Sequence, residues 1–310
     1  MRWQVKAAIQ ATSSVIPKGD LVYQRIQTRF GNLGARPMSR LPFQVQMTAW
    51  LQDAGVSRDA TFFEVGTGHI PVLPIGFYLC GASKVYTVDL YSRLRLDFTG
   101  EVLTWLAGNS QIYLDLLPED LWDTVAERLE TVSRYRDDPL GFLRAANIEY
   151  LAPCDAAAAP LPEGAVDVHF SCNVFEHVPL AVLGGIMSEA DRLLGPQGRV
   201  IHFVDPSDHF QHGDSRITKI NFLKYEDRTW KAIAGNRFGY ANRARVTDYQ
   251  SMFDAAGFVA EREELTVDPE SRAALSAGFE VARPFAGLSE DVLSTTEYKV
   301  LLKRKRILTT

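Results

Sequence analysis

Between Thr61 and Leu90 the pattern of hydrophobic and polar positions changes period twice. TFFEV (61–65) is a β-branched and aromatic run whose first charge is Glu64, which predicts a strand. Ile70 to Cys80 is apolar over a helical length and stops at Gly81, with Pro71 and Pro74 in its first turn, where a missing N–H costs little. Lys84 to Leu90 returns to strand character and places Asp89 at its carboxyl end. Further strands are expected at Ile148–Leu151, Val166–Val174, Arg199–Val204, Phe258–Val267 and Thr296–Lys303. The run VDVHFSCNV (166–174) is almost continuously apolar, as a central parallel strand covered on both faces must be. Helical spacing recurs from Phe43 to Leu51, Leu103 to Leu117, Leu121 to Val132, Leu180 to Leu194 and Thr247 to Ala256, the last with Thr247 as its N-cap, and again within 268–292. Residues 1–59 show broken helical spacing and predict a helical extension, in which Tyr23, Gln27 and Arg29 could face a pocket. Residues 91–147 exceed what a simple crossover requires and predict inserted helices.

Composition narrows the class. The 310 residues are 46% hydrophobic and 23% charged with a formal net charge of −5, an ordinary globular balance without the basic footprint of a nucleic-acid binder. The basic run Lys303–Arg306 reads as a solvated strand end. Cys80, Cys154 and Cys172 are odd in number and lack C-x-x-C spacing, which suits thiols in a reducing cytoplasm. No stretch reaches the length of a membrane span, and the first residues lack the apolar core of a signal peptide.

The chemistry concentrates at the strand ends. Gly66-Thr67-Gly68 permits φ > 0 and lets a ligand approach the backbone, while an acid closing the next strand can bind a pair of ribose hydroxyls. The spacing is not that of a dinucleotide fingerprint, which needs glycine at the Pro71 position. Glu64-Val-Gly66-Thr67-Gly68, with Asp89, resembles the acidic-residue-x-G-x-G motif and ribose acid of the class I S-adenosylmethionine (SAM)-dependent methyltransferases, of the type 11 kind. The usual third glycine falls at Ile70. Asn173 to Pro179, NVFEHVP, resembles the same family's phrase after the fourth strand, followed by a helix and the turn Gly195-Pro196-Gln197-Gly198.

That resemblance implies an α/β fold: a doubly wound, mostly parallel seven-stranded sheet with an antiparallel seventh strand beside the fifth, an N-terminal helical extension and an inserted helical cap. It implies SAM as cofactor, with Glu64, Gly66, Thr67 and Gly68 at the methionine end, Asp89 on the ribose, Asp155 on the adenine amino group and Asn173 beneath the ligand. The domain organisation expected is 1–59 as extension and 60–310 as methyltransferase domain, with 91–147 inserted and 206–246 as a substrate-side cap.

The segment after the fifth strand is rich in reactive groups. His209 is the expected general base and His212 the second choice, because imidazole titrates in the right range to take a proton from a hydroxyl or amine. Tyr240 and Arg243 are expected to bind substrate, and Arg237 and Arg243 have the paired donors that suit a carboxylate. His209 and His212 with Asp205 and Asp208 match no recognised zinc spacing, so no metal is expected. Glu176 and His177 are read as capping the following helix. The reaction implied is methyl transfer to an oxygen or nitrogen of a small or medium-sized molecule or a peptide, with no nucleic-acid partner, in the cytoplasm; a homodimer stays open. An inactive SAM-binding scaffold, or another SAM-dependent reaction on the same fold, is the alternative.

Overall fold

The computed structural model describes residues 1–17, 19, 23 and 34–305. Gln27, Arg29 and Arg306 lie outside the described residues. The strands are β1 Thr61–Val65, β2 Lys84–Val88, β3 Ile148–Leu151, β4 Val166–Cys172, β5 Leu194–Val204, β6 Phe258–Val267 and β7 Thr295–Arg304. They form one sheet in the order β3-β2-β1-β4-β5-β7-β6. All neighbours are parallel except β7, which runs antiparallel to both β5 and β6. The expected doubly wound sheet, with its last strand inserted beside the fifth, is therefore what the chain forms.

Alternation along the strands divides the core in two. Phe62, Val168, Phe170, Ile201, Phe203 and Leu301 point into one apolar cluster, while Phe63, Val200, Val204, Val300 and Leu302 point into another. Successive side chains on a strand face opposite ways, so both faces of this sheet need a helical layer. The first face is covered by helices α2 Leu41–Asp53 and α3 Val72–Leu79 and by the inserted helices α4 Leu96–Gly108, α5 Ser110–Leu114, α6 Trp122–Tyr135 and α7 Pro139–Ala145. The second is covered by α8 Leu180–Leu193 and α10 Val246–Ala255.

The 91–147 insertion thus forms the inserted helices expected of it, packed onto the sheet. Val102, Leu103, Leu106, Tyr113, Leu121 and Val125 are fully buried in the core of the sheet's first face. Its expected first helix is broken at Asn109, whose side-chain amide donates to the Trp105 carbonyl at 2.8 Å and diverts the chain. The helix expected from Thr247 starts one residue earlier, with Arg245 as N-cap in a capping box with Asp248. Strand β5 begins at Leu194 opposite Val166 and then jumps to Arg199 opposite Val168, so Gly195–Gly198 bulge out of the ladder.

A third, smaller core lies beyond the carboxyl end of β5. It joins α1 Trp3–Val15 and α9 Asp227–Ala234 with the 268–294 excursion through Ala7, Phe210, Ile220, Phe222, Trp230 and Phe285. Arg245, fully buried, pins this cap to the sheet by donating to the carbonyls of Pro206 and Thr295. The basic end of β7 is neutralised by Asp191, Glu261 and Asp254. Among the described residues no helix is long and apolar enough to cross a membrane.

Candidate functional site

The carboxyl ends of β1, β2, β4 and β5 converge on one crevice, the place where open parallel sheets bind ligands. Gly66 leaves β1 with φ +87°, and its N–H donates to the Val88 carbonyl at 2.8 Å, folding the turn onto β2. A Cβ at Gly66 would meet the Val174 methyls at 2.7 and 2.8 Å, so the turn is wedged against the loop after β4. Gly68 differs: it has φ +65°, and a Cβ there would meet nothing within 4 Å. Its N–H donates to Asp89 Oδ2 at 3.0 Å, and the Tyr91 N–H donates to Oδ1 at 3.1 Å. The glycine turn and the acid of β2 are therefore one unit, with open space above Gly68.

Glu64 is buried beneath this turn at 4% exposure. Its carboxylate accepts from the Thr87 hydroxyl, which lies 2.5 Å from the Thr67 hydroxyl. Burial raises the Glu64 pKa to about 8, against the pull of Thr87 and of the Arg40 charge. Asp155 follows β3 on the exposed surface and accepts from the Ala157 N–H at 2.9 Å, which fixes its loop. That loop is tied to the ribose acid, because the Cys154 N–H donates to the Asp89 carbonyl at 2.9 Å. Asn173 takes the left-handed conformation (φ +54°) at the end of β4, with its N–H on the Phe203 carbonyl at 2.8 Å.

Asn173 also lines a pocket of about 170 Å³, whose walls include Phe43, Asp205, Ser207, His212 and Lys219. Beside it stands a cluster of acids and histidines. Asp205 Oδ2 is 3.4 Å from His209 Nε2 and 3.6 Å from His212 Nε2. The His209 ring stacks on His212 with centroids 4.9 Å apart and meets the edge of His177 at 4.8 Å. Burial works against an imidazolium at His209, but Asp205 and Glu176 outweigh it and its pKa rises. Burial likewise opposes the charge on Asp205, yet its histidine neighbours and the Ser207 hydroxyl hold its carboxyl well below the ordinary range.

Several expected roles change. Glu176 and His177 do not cap α8, whose N-cap is Pro179 without a side-chain bond. Glu176 is 2% exposed, and neither carboxylate oxygen has a hydrogen-bond partner among the described residues. Burial lifts its pKa to about 8. Arg243 is no free carboxylate receptor. It is 6% exposed and donates to the Phe222 and Tyr225 carbonyls and to Asp227, a strut inside the cap. Tyr240 contributes its backbone carbonyl, facing His177 Nδ1 at 2.9 Å. Tyr23 is buried, accepts from Gln10 at 2.9 Å and lies against Phe238.

Arg40 and Lys6 were not singled out from the sequence. Arg40 precedes α2, places Nη1 3.4 Å from the Cys172 carbonyl, and its charge acts on both Glu64 and Glu176. Lys6 on α1 donates to the His209 carbonyl at 2.9 Å. No local pattern marks either residue; only the packing of the N-terminal helices across the crevice does.

Residues 99–202 match the family model Methyltransf_11, a methyltransferase domain. The sheet on which the matched stretch lies is that of a Rossmann-like α/β fold. The matched stretch holds β3, β4 and the EHV loop, and begins after the glycine turn and Asp89. No curated protein matches the chain. Among solved structures, it is 16% identical to the magnesium protoporphyrin IX methyltransferase of Synechocystis PCC 6803 with bound SAH, covering 97% of this chain and 99% of that one, TM-score 0.48. It is 15% identical to the geranyl diphosphate C-methyltransferase of Streptomyces coelicolor A3(2), covering 84% and 80%, TM-score 0.45. It is also 15% identical to an S-adenosylmethionine dependent methyltransferase of Mesorhizobium loti, covering 83% and 96%, TM-score 0.43.

Proposed function

We propose that the chain binds SAM over the Gly66–Gly68 turn and catalyses methyl transfer to an oxygen, or a nitrogen, of a small or medium-sized acceptor held under the cap. The observation that carries this reading is the joining of Gly68 to Asp89 beneath open space, with the Asp205–His209 pair across Asn173 at the end of β5. When bound, the cofactor supplies an electrophilic methyl group on a sulfonium centre.

The chain's own residues bind and orient. Asp89 has acceptor capacity beyond its two backbone donors for a ribose diol, and Asp155 presents an exposed carboxylate to an adenine amine. Gly68 leaves the backbone uncovered. Glu64, which burial holds largely neutral, and the Arg40 charge stand at the methionine end. Helix α1 and the cap, joined by Lys6, Trp3 and Gln10, cover the side where water would enter. His209, held by Asp205 through Nε2, takes the acceptor's proton at its other ring nitrogen, Nδ1, and His212 stands beside it.

The test is product mass after incubation with SAM and a panel of hydroxylated and amino acceptors. A base at His209 predicts that His209→Gln lowers kcat by about 10²–10⁴-fold while SAM affinity is kept. Unchanged kcat would remove the base from the account and leave only the cofactor site.

A further inference from the structure

The buried Glu176 carboxylate is not used by the methyl-transfer reading and has no hydrogen-bond partner among the described residues. An unpaired carboxylate at 2% exposure is costly, and the cost persists unless something else satisfies it. Its neighbours are imidazoles. Glu176, His177 and His209 each offer one ligand atom, all within 4.8 Å of one another, and Asp205, His209 and His212 form a second such triad sharing His209. The buried His209 Nε2 has Asp205 Oδ2 3.4 Å away but makes no well-formed hydrogen bond among the described residues.

We propose that Glu176, His177 and His209 form a binding site for one divalent first-row transition-metal ion, with Asp205 and His212 closing it from the cap side. The ligand chemistry is right: two imidazoles and a carboxylate suit zinc, iron or manganese rather than calcium or magnesium. The outer contacts are right as well. His177 Nδ1 faces the Tyr240 carbonyl at 2.9 Å, so its N–H donates there and Nε2 keeps the lone pair for a ligand. An ion about 2.1 Å from each ligand would draw the three atoms to about 3.4 Å apart, a contraction that side-chain rotation can supply. The backbone is anchored on both sides: Asn242 donates to the Phe175 and Val178 carbonyls around Glu176–His177, and Lys6 holds the His209 carbonyl.

The site itself does not depend on the methyl-transfer reading; one consequence does. With an ion bound, the His209 lone pair is taken, and the ion lowers the pKa of an acceptor hydroxyl in place of the imidazole. An acceptor that coordinates through oxygen is then the expected substrate class.

The experiment is titration of the full chain, stripped with EDTA, with Co²⁺ followed by visible absorption and with Zn²⁺ followed by calorimetry. The proposal expects one equivalent bound, d–d bands from Co²⁺, and at least about tenfold weaker binding in both Glu176→Gln and His177→Ala. Glu176→Gln removes the carboxyl and keeps the shape, so its fold is retained, which far-UV circular dichroism checks. His69→Ala, a histidine outside the cluster, should bind as the wild type does. Absence of stoichiometric binding, affinity unchanged in Glu176→Gln and His177→Ala, or equal loss in His69→Ala would overturn the proposal. SAM titration of the same preparations separates this failure from that of the cofactor site.

Discussion

Gly66 and Gly68 are two residues apart in one turn, yet the structure assigns them different duties that alanine separates. At Gly66 an added methyl brings two costs. Holding an L-residue at φ +87° costs about 1–2 kcal/mol. Forcing Cβ to within 2.7–2.8 Å of the Val174 methyls adds about 1–3 kcal/mol of overpacking, because a β-branched side chain on a fixed backbone has no free rotamer to swing into. Gly66→Ala should therefore lose about 2–5 kcal/mol in urea denaturation, a large share of a typical domain's stability. Adding Val174→Ala should recover the steric part. Gly68→Ala meets no protein atom and should lose only about 1–2 kcal/mol from its φ of +65°. Its methyl would instead stand in the space assigned to the cofactor, and SAM affinity by calorimetry should fall by at least about tenfold, or 1.4 kcal/mol. The reasoning is refuted if Gly66→Ala is as stable as wild type, or if Gly68→Ala binds SAM undiminished.

Other perturbations follow from buried polar groups. His169 is fully buried with neither ring nitrogen bonded among the described residues, and burial lowers its pKa to about 3. Its folded-state pKa lies below the unfolded one, so the unfolded chain takes the proton first and stability is lost as pH falls below about 6.5. Relative to His169→Phe, the wild type should lose about 2 kcal/mol between pH 7 and pH 5 in urea melts, and a pH-independent difference would contradict the burial. Arg243→Met should destabilise by about 2–4 kcal/mol through the orphaned Phe222 and Tyr225 carbonyls, with KM for the acceptor nearly unchanged. A raised KM at full stability would return Arg243 to the substrate.

The parts of this protein that were legible in sequence are those set by local period and by glycine. β1 and β3 have the ends their patterns predict, and Gly66 and Gly68 take the positive φ that a glycine turn implies. What was not legible depends on distant packing. The insertion was legible as extra helices, but that Tyr113 and Phe142 pack against the first face of the sheet depends on the tertiary fold. Arg243 carries the donors of a carboxylate receptor, and only the tertiary fold shows that backbone carbonyls occupy them. Glu176-His177 reads locally as a helix start; its relation to His209 requires the return of the chain along β5. The charge of Arg40 acts on Glu64 and Glu176 from the start of α2, with no motif to announce it.

The central claim is that the Gly68–Asp89 unit is a SAM site. Its most direct test is calorimetric titration of the purified chain with SAM and with S-adenosylhomocysteine, repeated on Asp89→Ala. The account predicts saturable one-to-one binding by the wild type and affinity at least about tenfold weaker in the variant, the worth of hydrogen bonds to a charged acceptor. No binding by the folded wild type, or equal binding by Asp89→Ala, would contradict it.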